Sequence, residues 1–234
     1  MAMMSTTFPD RPVSSGMPGP KTTSSRSPRK ITSDQIVIRS LDVVIAIAGL
    51  IFELPILFVV AFVLAIEGGP VLFAHRRVGH DGKRFYCLKF RSMVVDAEER
   101  LARLLREDPI ARDEWARDHK LRNDPRVTSF GRFLRKSSID ELPQLMNVLR
   151  GEMSIVGPRP IVEAEMPRYG RRINSYYAVK PGITGLWQVS GRNDVEYRTR
   201  VAMDCVYAKS ACPKLYLWLV IVTVPAVLAR RGSY

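Results

Sequence analysis

Asp140 and Glu141 are the residues of this 234-residue chain best suited to chemistry. They follow Arg132-Phe133-Leu134-Arg135-Lys136-Ser137-Ser138-Ile139, so three cations precede an acidic pair. A carboxylate can attack phosphorus, a neighbouring carboxylate can hold Mg²⁺, and arginines can neutralise charge on a transferred phosphoryl group. Magnesium suits this pairing because it takes oxygen ligands and is commonly shared between one or two carboxylates and substrate phosphates. A structural reading competes. Ser138 and Glu141 have capping-box spacing, and acids in a first helical turn complement the helix dipole. On residue types alone the structural reading is the stronger, because capping boxes are far commoner than catalytic dyads.

Three further segments carry groups that could meet an anion. In Gly157-Pro158-Arg159-Pro160, two prolines restrict the backbone on either side of one guanidinium, which pre-organises it for phosphate; a rigid turn with a solvated arginine is the alternative. The run Lys180-Pro181-Gly182-Ile183-Thr184-Gly185-Leu186-Trp187-Gln188-Val189-Ser190-Gly191-Arg192 is turn-rich and offers an aromatic, an amide and a cation. Those side chains suit a base or sugar, although a lone tryptophan is more often core. Strand alternation places Lys89 and Arg91 on one face with Phe85 and Cys87, so the two cations could converge on one anion or guard a solvated edge.

The elements that position these residues are legible in outline. Residues 1–30 carry five prolines among Ser, Thr and Gly and read as a disordered tail rather than a signal peptide. From Val43 to Ile66 the chain is apolar except for Glu53, which is followed by Leu54 and Pro55. A carboxylate and a proline at mid-segment favour a bend toward the interface. Basic residues lie on both flanks, Arg29, Lys30 and Arg39 before and Arg76 and Arg77 after, so both ends are expected on the cytoplasmic side. That combination predicts a re-entrant hairpin over a kinked span. Val71–Arg77 and Arg84–Phe90 read as strands joined at His80-Asp81-Gly82. Residues 96–120 read as amphipathic helices interrupted at Pro109, and 215–228 as an interfacial or core helix too short for a comfortable span.

The net charge of +13 implies an anionic partner, and charge alone does not choose among nucleic acid, an anionic membrane surface and a phosphorylated substrate. No recognisable nucleic-acid module is present, so nucleic acid is not expected. Three cysteines without CxxC spacing indicate neither a disulfide framework nor a zinc site.

From about residue 36 to the C-terminus the chain resembles the bacterial sugar transferase family, the monotopic phosphoglycosyl transferases. The likeness rests on Pro70-Val71-Leu72-Phe73, Arg77-Val78-Gly79, Lys89-Phe90-Arg91-Ser92-Met93, Ser138-Ile139-Asp140-Glu141-Leu142-Pro143-Gln144-Leu145, Gly157-Pro158-Arg159-Pro160 and Lys180-Pro181-Gly182-Ile183-Thr184-Gly185, in that order. Each is weak alone; together they are specific. The resemblance implies that Asp140 attacks the β-phosphorus of a UDP-sugar, releasing UMP, and that undecaprenyl phosphate then takes the sugar phosphate. It also implies Mg²⁺ at Glu141, phosphate contacts from Arg135 and Arg159, and Lys89 and Arg91 as further members of the pocket. The segment Leu186-Trp187-Gln188-Val189-Ser190-Gly191-Arg192 is similar to exopolysaccharide-initiating members and points to galactose or glucose. Two positions depart from the family: Leu54 stands where a serine often precedes the proline, and Tyr216 falls where an acidic residue is common.

The expected fold is therefore α+β and mostly helical, with a re-entrant helix–break–helix, interfacial amphipathic helices and a small β-hairpin. The expected divisions are the tail at 1–30, the re-entrant segment at 36–67 and a catalytic domain at 68–234. The expected location is the cytoplasmic face of a bacterial inner membrane, which leaves downstream glycosyltransferases open as partners.

Overall fold

The computed structural model describes residues 32–118, 121, 123–191 and 195–228. The expected tail at 1–30 and Arg192 lie outside the described residues. The longest element is helix α1, Ser33–Ile66. Its start is fixed by a reciprocal cap: Thr32 Oγ1 accepts from the Gln35 N–H at 3.3 Å, and Gln35 Oε1 accepts from the Thr32 N–H at 3.1 Å. Where a helix–break–helix was expected, α1 runs uninterrupted through Glu53, Leu54 and Pro55. Proline removes one ladder hydrogen bond and can kink a helix, but the turns on either side can continue around it.

Both halves of α1 pack against the rest of the chain. Ile38, Leu41, Ile45, Ala46 and Leu50 join the largest core with Leu145, Val148, Met153, Tyr216 and Leu219. Leu57, Val60, Ala61 and Leu64 join a separate cluster with Phe90 and Leu134. The helix nevertheless exposes Ile51, Phe52, Leu54, Phe58 and Phe62, and it is long and apolar enough to cross a membrane.

Strands β1 (Leu72–Val78) and β2 (Arg84–Phe90) form the expected antiparallel hairpin, with Leu72 opposite Phe90 and Val78 opposite Arg84. Asp81 and Gly82 both adopt positive φ in the turn, which Asp-Gly tolerates well. Helices α2 (Ala97–Glu107) and α3 (Pro109–Asp118) separate at Asp108, whose Oδ1 accepts from the Ile110 and Ala111 N–H groups and so opens α3. Helix α4, Ser129–Ser137, is capped by Thr128 and packs so closely on the chain after β2 that a Cβ at Gly131 would sit 2.0 Å from the Ser92 carbonyl oxygen. Only glycine permits that approach.

A 3₁₀ turn, Ile139–Glu141, leads into α5, Gln144–Leu149. Two carbonyls at the end of α5, those of Val148 and Leu149, accept from the Arg39 guanidinium of α1 at 2.6 and 2.9 Å. Strands β3 (Ser154–Val156) and β4 (Gly182–Thr184) pair in parallel. Between them lie the short helices α6 (Met166–Tyr169) and α7 (Ile173–Tyr177); after them come α8 (Leu186–Ser190), α9 (Tyr197–Ser210) and α10 (Pro213–Leu228). Helix α10 is both core and surface: Tyr216 and Leu219 are fully buried while Trp218, Ile221 and Val224 are exposed.

Asp42 of α1 ties these parts together. It is 1% exposed and accepts hydrogen bonds from Ser154 Oγ (2.8 Å), the Ile155 N–H (2.8 Å) and Tyr216 Oη (2.9 Å). Tyr216, the position that departs from the family, therefore supplies a donor to an acid on α1.

Candidate active site

The acidic pair sits on a turn, not in a capped helix start. Ser138 ends α4 in the left-handed conformation, φ 59°, and makes no side-chain cap hydrogen bond. The capping-box reading of Ser138 and Glu141 is thus not realised. A non-glycine residue held at positive φ is costly and is retained where the surrounding structure over-determines it, commonly at functional sites. The sharp turn at Ser138 delivers Asp140 and Glu141 toward β2.

There they meet Lys89. Its Nζ donates to Glu141 Oε1 at 2.6 Å and lies 3.8 Å from Asp140 Oδ2. Asp140 is buried, with 6% of its surface exposed, whereas Glu141 is more open. Burial raises the Asp140 carboxyl above its ordinary range, Lys89 and Arg135 pull it back down, and the Glu141 charge pushes it up. Arg135 is held beside the pair by a 2.8 Å bond from its Nε to Ser92 Oγ. Ser92, on the chain just after β2, thus anchors both the cation next to Asp140 and the glycine contact that seats α4.

A cleft opens on the side of Lys89 and Glu141, lined also by Arg77, Arg159, Trp187 and Gln188. Asp140, beside Lys89, is not among the residues that line it. Arg159 is exposed and, among the described residues, has no side-chain hydrogen bond. Its segment is fixed from both sides. The Val78 N–H donates to the Ile161 carbonyl at 2.9 Å, and the buried Tyr176 hydroxyl donates to the Val78 carbonyl at 2.6 Å. On the other side a Cβ at Gly157 would lie 2.3 Å from the Lys180 carbonyl oxygen, so the Gly-Pro-Arg-Pro segment presses directly on the loop that bears Trp187.

Arg91 is the site expectation that the geometry redirects. Its guanidinium donates to the carbonyls of Leu64 (3.1 Å) and Pro70 (2.9 Å) and lies 3.7 Å from Glu67. Regular pairing ends at Phe90, and the last carbonyls of α1 lack helical partners, so a cation placed there satisfies them. Arg91 holds the end of α1 and does not line the cleft with Lys89.

Arg77, Cys87 and Gln144 line the cleft although none was singled out for the site. Arg77 donates to the Pro160 carbonyl at 3.1 Å and to His75 Nδ1 at 3.0 Å. Burial, with the Arg77, Lys89 and Arg159 charges, pushes the His75 ring down to about 4, so it is a neutral acceptor at pH 7. Burial pushes the Cys87 thiol up, which keeps it protonated and removes it as a rival nucleophile. The signal for Arg77 was the Asp-Gly turn. Its register pairs Arg77 with Phe85 and His75 with Cys87, and opposite residues share a face with Lys89 two places on.

The donor set fits a magnesium ion held largely by substrate phosphates. Glu141 and Asp140 supply hard carboxylate oxygens, and among the described residues no group of three or more His, Cys, Asp or Glu is placed to form an all-protein site.

The β-hairpin, an acidic turn clasped by Lys89 and a cleft ringed by Arg77, Lys89 and Arg159 bring together groups suited to a phosphorylated ligand. The chain belongs to the bacterial sugar transferase family, which it matches over residues 33–230. It is 50% identical over 202 residues to a UDP-galactose-lipid carrier transferase of Erwinia amylovora, covering 86% of this chain and 42% of that protein. The same identity and coverage relate it to an undecaprenyl-phosphate galactose phosphotransferase of Salmonella typhimurium. It is also 50% identical over 197 residues to the exopolysaccharide production protein ExoY of Sinorhizobium fredii, covering 84% of this chain and 87% of that protein. The chain thus spans less than half the length of the first two relatives and most of the third.

Proposed function

We propose that this protein transfers a hexose-1-phosphate, galactose or glucose, from a UDP-sugar to undecaprenyl phosphate, the first membrane step of an exopolysaccharide. The observation that carries the reading is the Asp140–Glu141 turn clasped by Lys89 beside a cationic cleft. Relatives named for galactose transfer, and a Xanthomonas campestris relative named for glucose-1-phosphate transfer, support the hexose.

In this mechanism the Asp140 carboxylate attacks the β-phosphorus of the donor. A bond forms from carboxylate oxygen to phosphorus as the bond to the bridging oxygen breaks, and UMP leaves with the electron pair. The phosphate oxygen of the lipid then attacks the same phosphorus, the aspartyl–phosphorus bond breaks, and Asp140 regains its carboxylate. Lys89 and Arg135 hold Asp140 ionised against its burial, while Arg159 meets phosphate charge. Glu141 would hold Mg²⁺, which would supply Lewis-acid neutralisation of charge on the diphosphate.

The protein works at the cytoplasmic face of the bacterial inner membrane, with α1 re-entrant. A helix that spans needs about 20 apolar residues clear of water-soluble structure. In α1 residues on both sides of Pro55 pack into cores of this same chain, up to Leu50 in one and from Leu57 in the other, while apolar side chains from Val44 to Ile66 stay exposed on the remaining surface. That packing of both halves onto one domain supports a dip into one leaflet, with downstream glycosyltransferases reached from the same side.

The test is UMP release from a panel of UDP-sugars by purified protein with Mg²⁺ and undecaprenyl phosphate, alongside Asp140→Asn. Release that requires Asp140, with a hexose-phosphate mass increment on the peptide bearing it, supports the reaction. Silence across the panel with folded protein sinks it.

A further inference from the structure

Within the described residues, four buried side-chain polar atoms lack a hydrogen-bond partner: Glu53 Oε2, Trp187 Nε1, Gln188 Oε1 and Tyr197 Oη. Buried polar atoms are almost always paired, so each exception calls for a reason. Two of the four are neighbours in sequence, and both residues line the cleft that contains Lys89 and Glu141. Trp187 is 4% exposed, and its ring is held from one side by the Arg200 guanidinium, 4.7 Å from the ring centre. Arg200 is in turn fixed by a 2.8 Å bond from Nε to the Val195 carbonyl. A face covered in this way is poorly placed to stack on a ligand, which leaves the indole N–H edge as the group the residue can offer.

We propose that Trp187 and Gln188 form the wall that recognises the hexosyl ring of the donor, Trp187 Nε1–H donating to a ring hydroxyl and Gln188 Oε1 accepting from one. The inference rests on the transfer reaction proposed above. An indole N–H can only donate and an amide oxygen can only accept, whereas a sugar hydroxyl does both, so adjacent hydroxyls complete the pair. Position favours the sugar over the uracil. The hexose is joined through oxygen to the phosphorus that Asp140 attacks and stays behind when UMP departs, so its ring belongs in the cleft that Lys89, Glu141, Trp187 and Gln188 line together. A site built to hydrogen-bond a hydroxyl rejects a ligand lacking it, because its own groups are then left unpaired.

Trp187→Phe keeps an aromatic ring beneath Arg200 and removes the N–H together with part of the indole, and Gln188→Met keeps length while removing the acceptor. Full-length variants are compared with wild type by kcat/KM for UMP release from UDP-galactose and UDP-glucose, and by inhibition with UDP, which lacks the hexose. The expected result is a loss of at least tenfold in kcat/KM for the better donor with UDP inhibition within twofold of wild type. One monodeoxy-UDP-hexose should also be turned over equally by wild type and variant. Donor turnover within twofold of wild type overturns the proposal. So does a loss of UDP affinity in step with donor turnover, which assigns the pair to the nucleotide or to general folding. If wild type itself releases no UMP from any UDP-hexose, the transfer reaction fails and this inference with it, an outcome distinct from an active wild type with indifferent variants.

Discussion

Asp42 and Asp140 are both buried carboxylates, and their surroundings are opposites. Asp42, 1% exposed, accepts from a hydroxyl, a backbone N–H and a phenol, all within 2.9 Å. Asp140, 6% exposed, has a cation at 3.8 Å and a competing acid beside it. The first is surrounded by three donors that hold two elements, β3 and α10, to α1. The second keeps its oxygens uncommitted and its charge adjustable, which a nucleophile requires and a scaffold does not. Under the proposed mechanism, burial alone does not mark the reactive acid; the character of its partners does.

The largest effect expected from this contrast is on turnover. Asp140→Asn is nearly isosteric and removes the nucleophile, so turnover should fall by at least about a thousandfold. Thermal stability should be unchanged or slightly higher, because a carboxyl disfavoured by burial is replaced by a neutral amide. UMP release and a melting curve check both halves; turnover near wild type would end the covalent mechanism.

Asp42→Ala should show the reverse pattern. It leaves the Ser154 hydroxyl, the Ile155 N–H and the Tyr216 hydroxyl without their acceptor, a loss of about 3 kcal/mol in stability. Chemical denaturation in detergent measures it. A companion Tyr216→Phe should cost less, since only one of the three bonds disappears and the ring remains packed. An Asp42→Ala protein as stable as wild type would mean that the three donors find other partners and the contrast with Asp140 is illusory.

The site itself should respond to pH in two opposite directions. Asp140 attacks only when ionised, so kcat/KM falls as pH drops through its raised pKa. Lys89 holds that pKa down, and Lys89→Met should move the acid limb to higher pH. Glu141 pushes it up, and Glu141→Gln should move the limb to lower pH, whatever the residual rate. Profiles that shift the same way in both variants would assign the limb to another group.

How much of this was legible in the sequence depends on whether the governing contact is local. The β-hairpin was legible because Asp-Gly fixes the turn and the turn fixes the register. The break at Pro109 was legible because proline opens α3 with Asp108 as its cap. Asp140, Glu141 and Arg135 were legible only through ordered motifs; by residue type the capping box looked better, and the left-handed Ser138 that abolishes it has no signature in its own residue type. Arg91 was misplaced because its partners, the carbonyls of Leu64 and Pro70, belong to a helix end more than twenty residues away. Asp42 went unnoticed for the same reason at greater range: its donors come from 112, 113 and 174 residues further along.

A third buried acid sharpens the comparison with the smallest expected effect. Asp204 is 3% exposed and accepts from the Tyr169 hydroxyl at 2.7 Å, yet burial pushes its carboxyl up to about 7, against an ordinary 3.8. Because the folded state binds this proton more tightly than the unfolded chain, the contribution to stability is complete below about 3.8. It is lost as pH rises to about 7. Asp204→Asn keeps an acceptor for Tyr169 and has no charge to bury. Its Tm should exceed that of wild type at pH 8 by a few degrees, on the order of 1 kcal/mol, with the gap closing toward pH 4. One neutral donor would then be too few to keep this buried acid ionised. A Tm difference that stays constant from pH 4 to 8 would instead show that Asp204 is as well satisfied as Asp42, and that the number of donors is not what separates them.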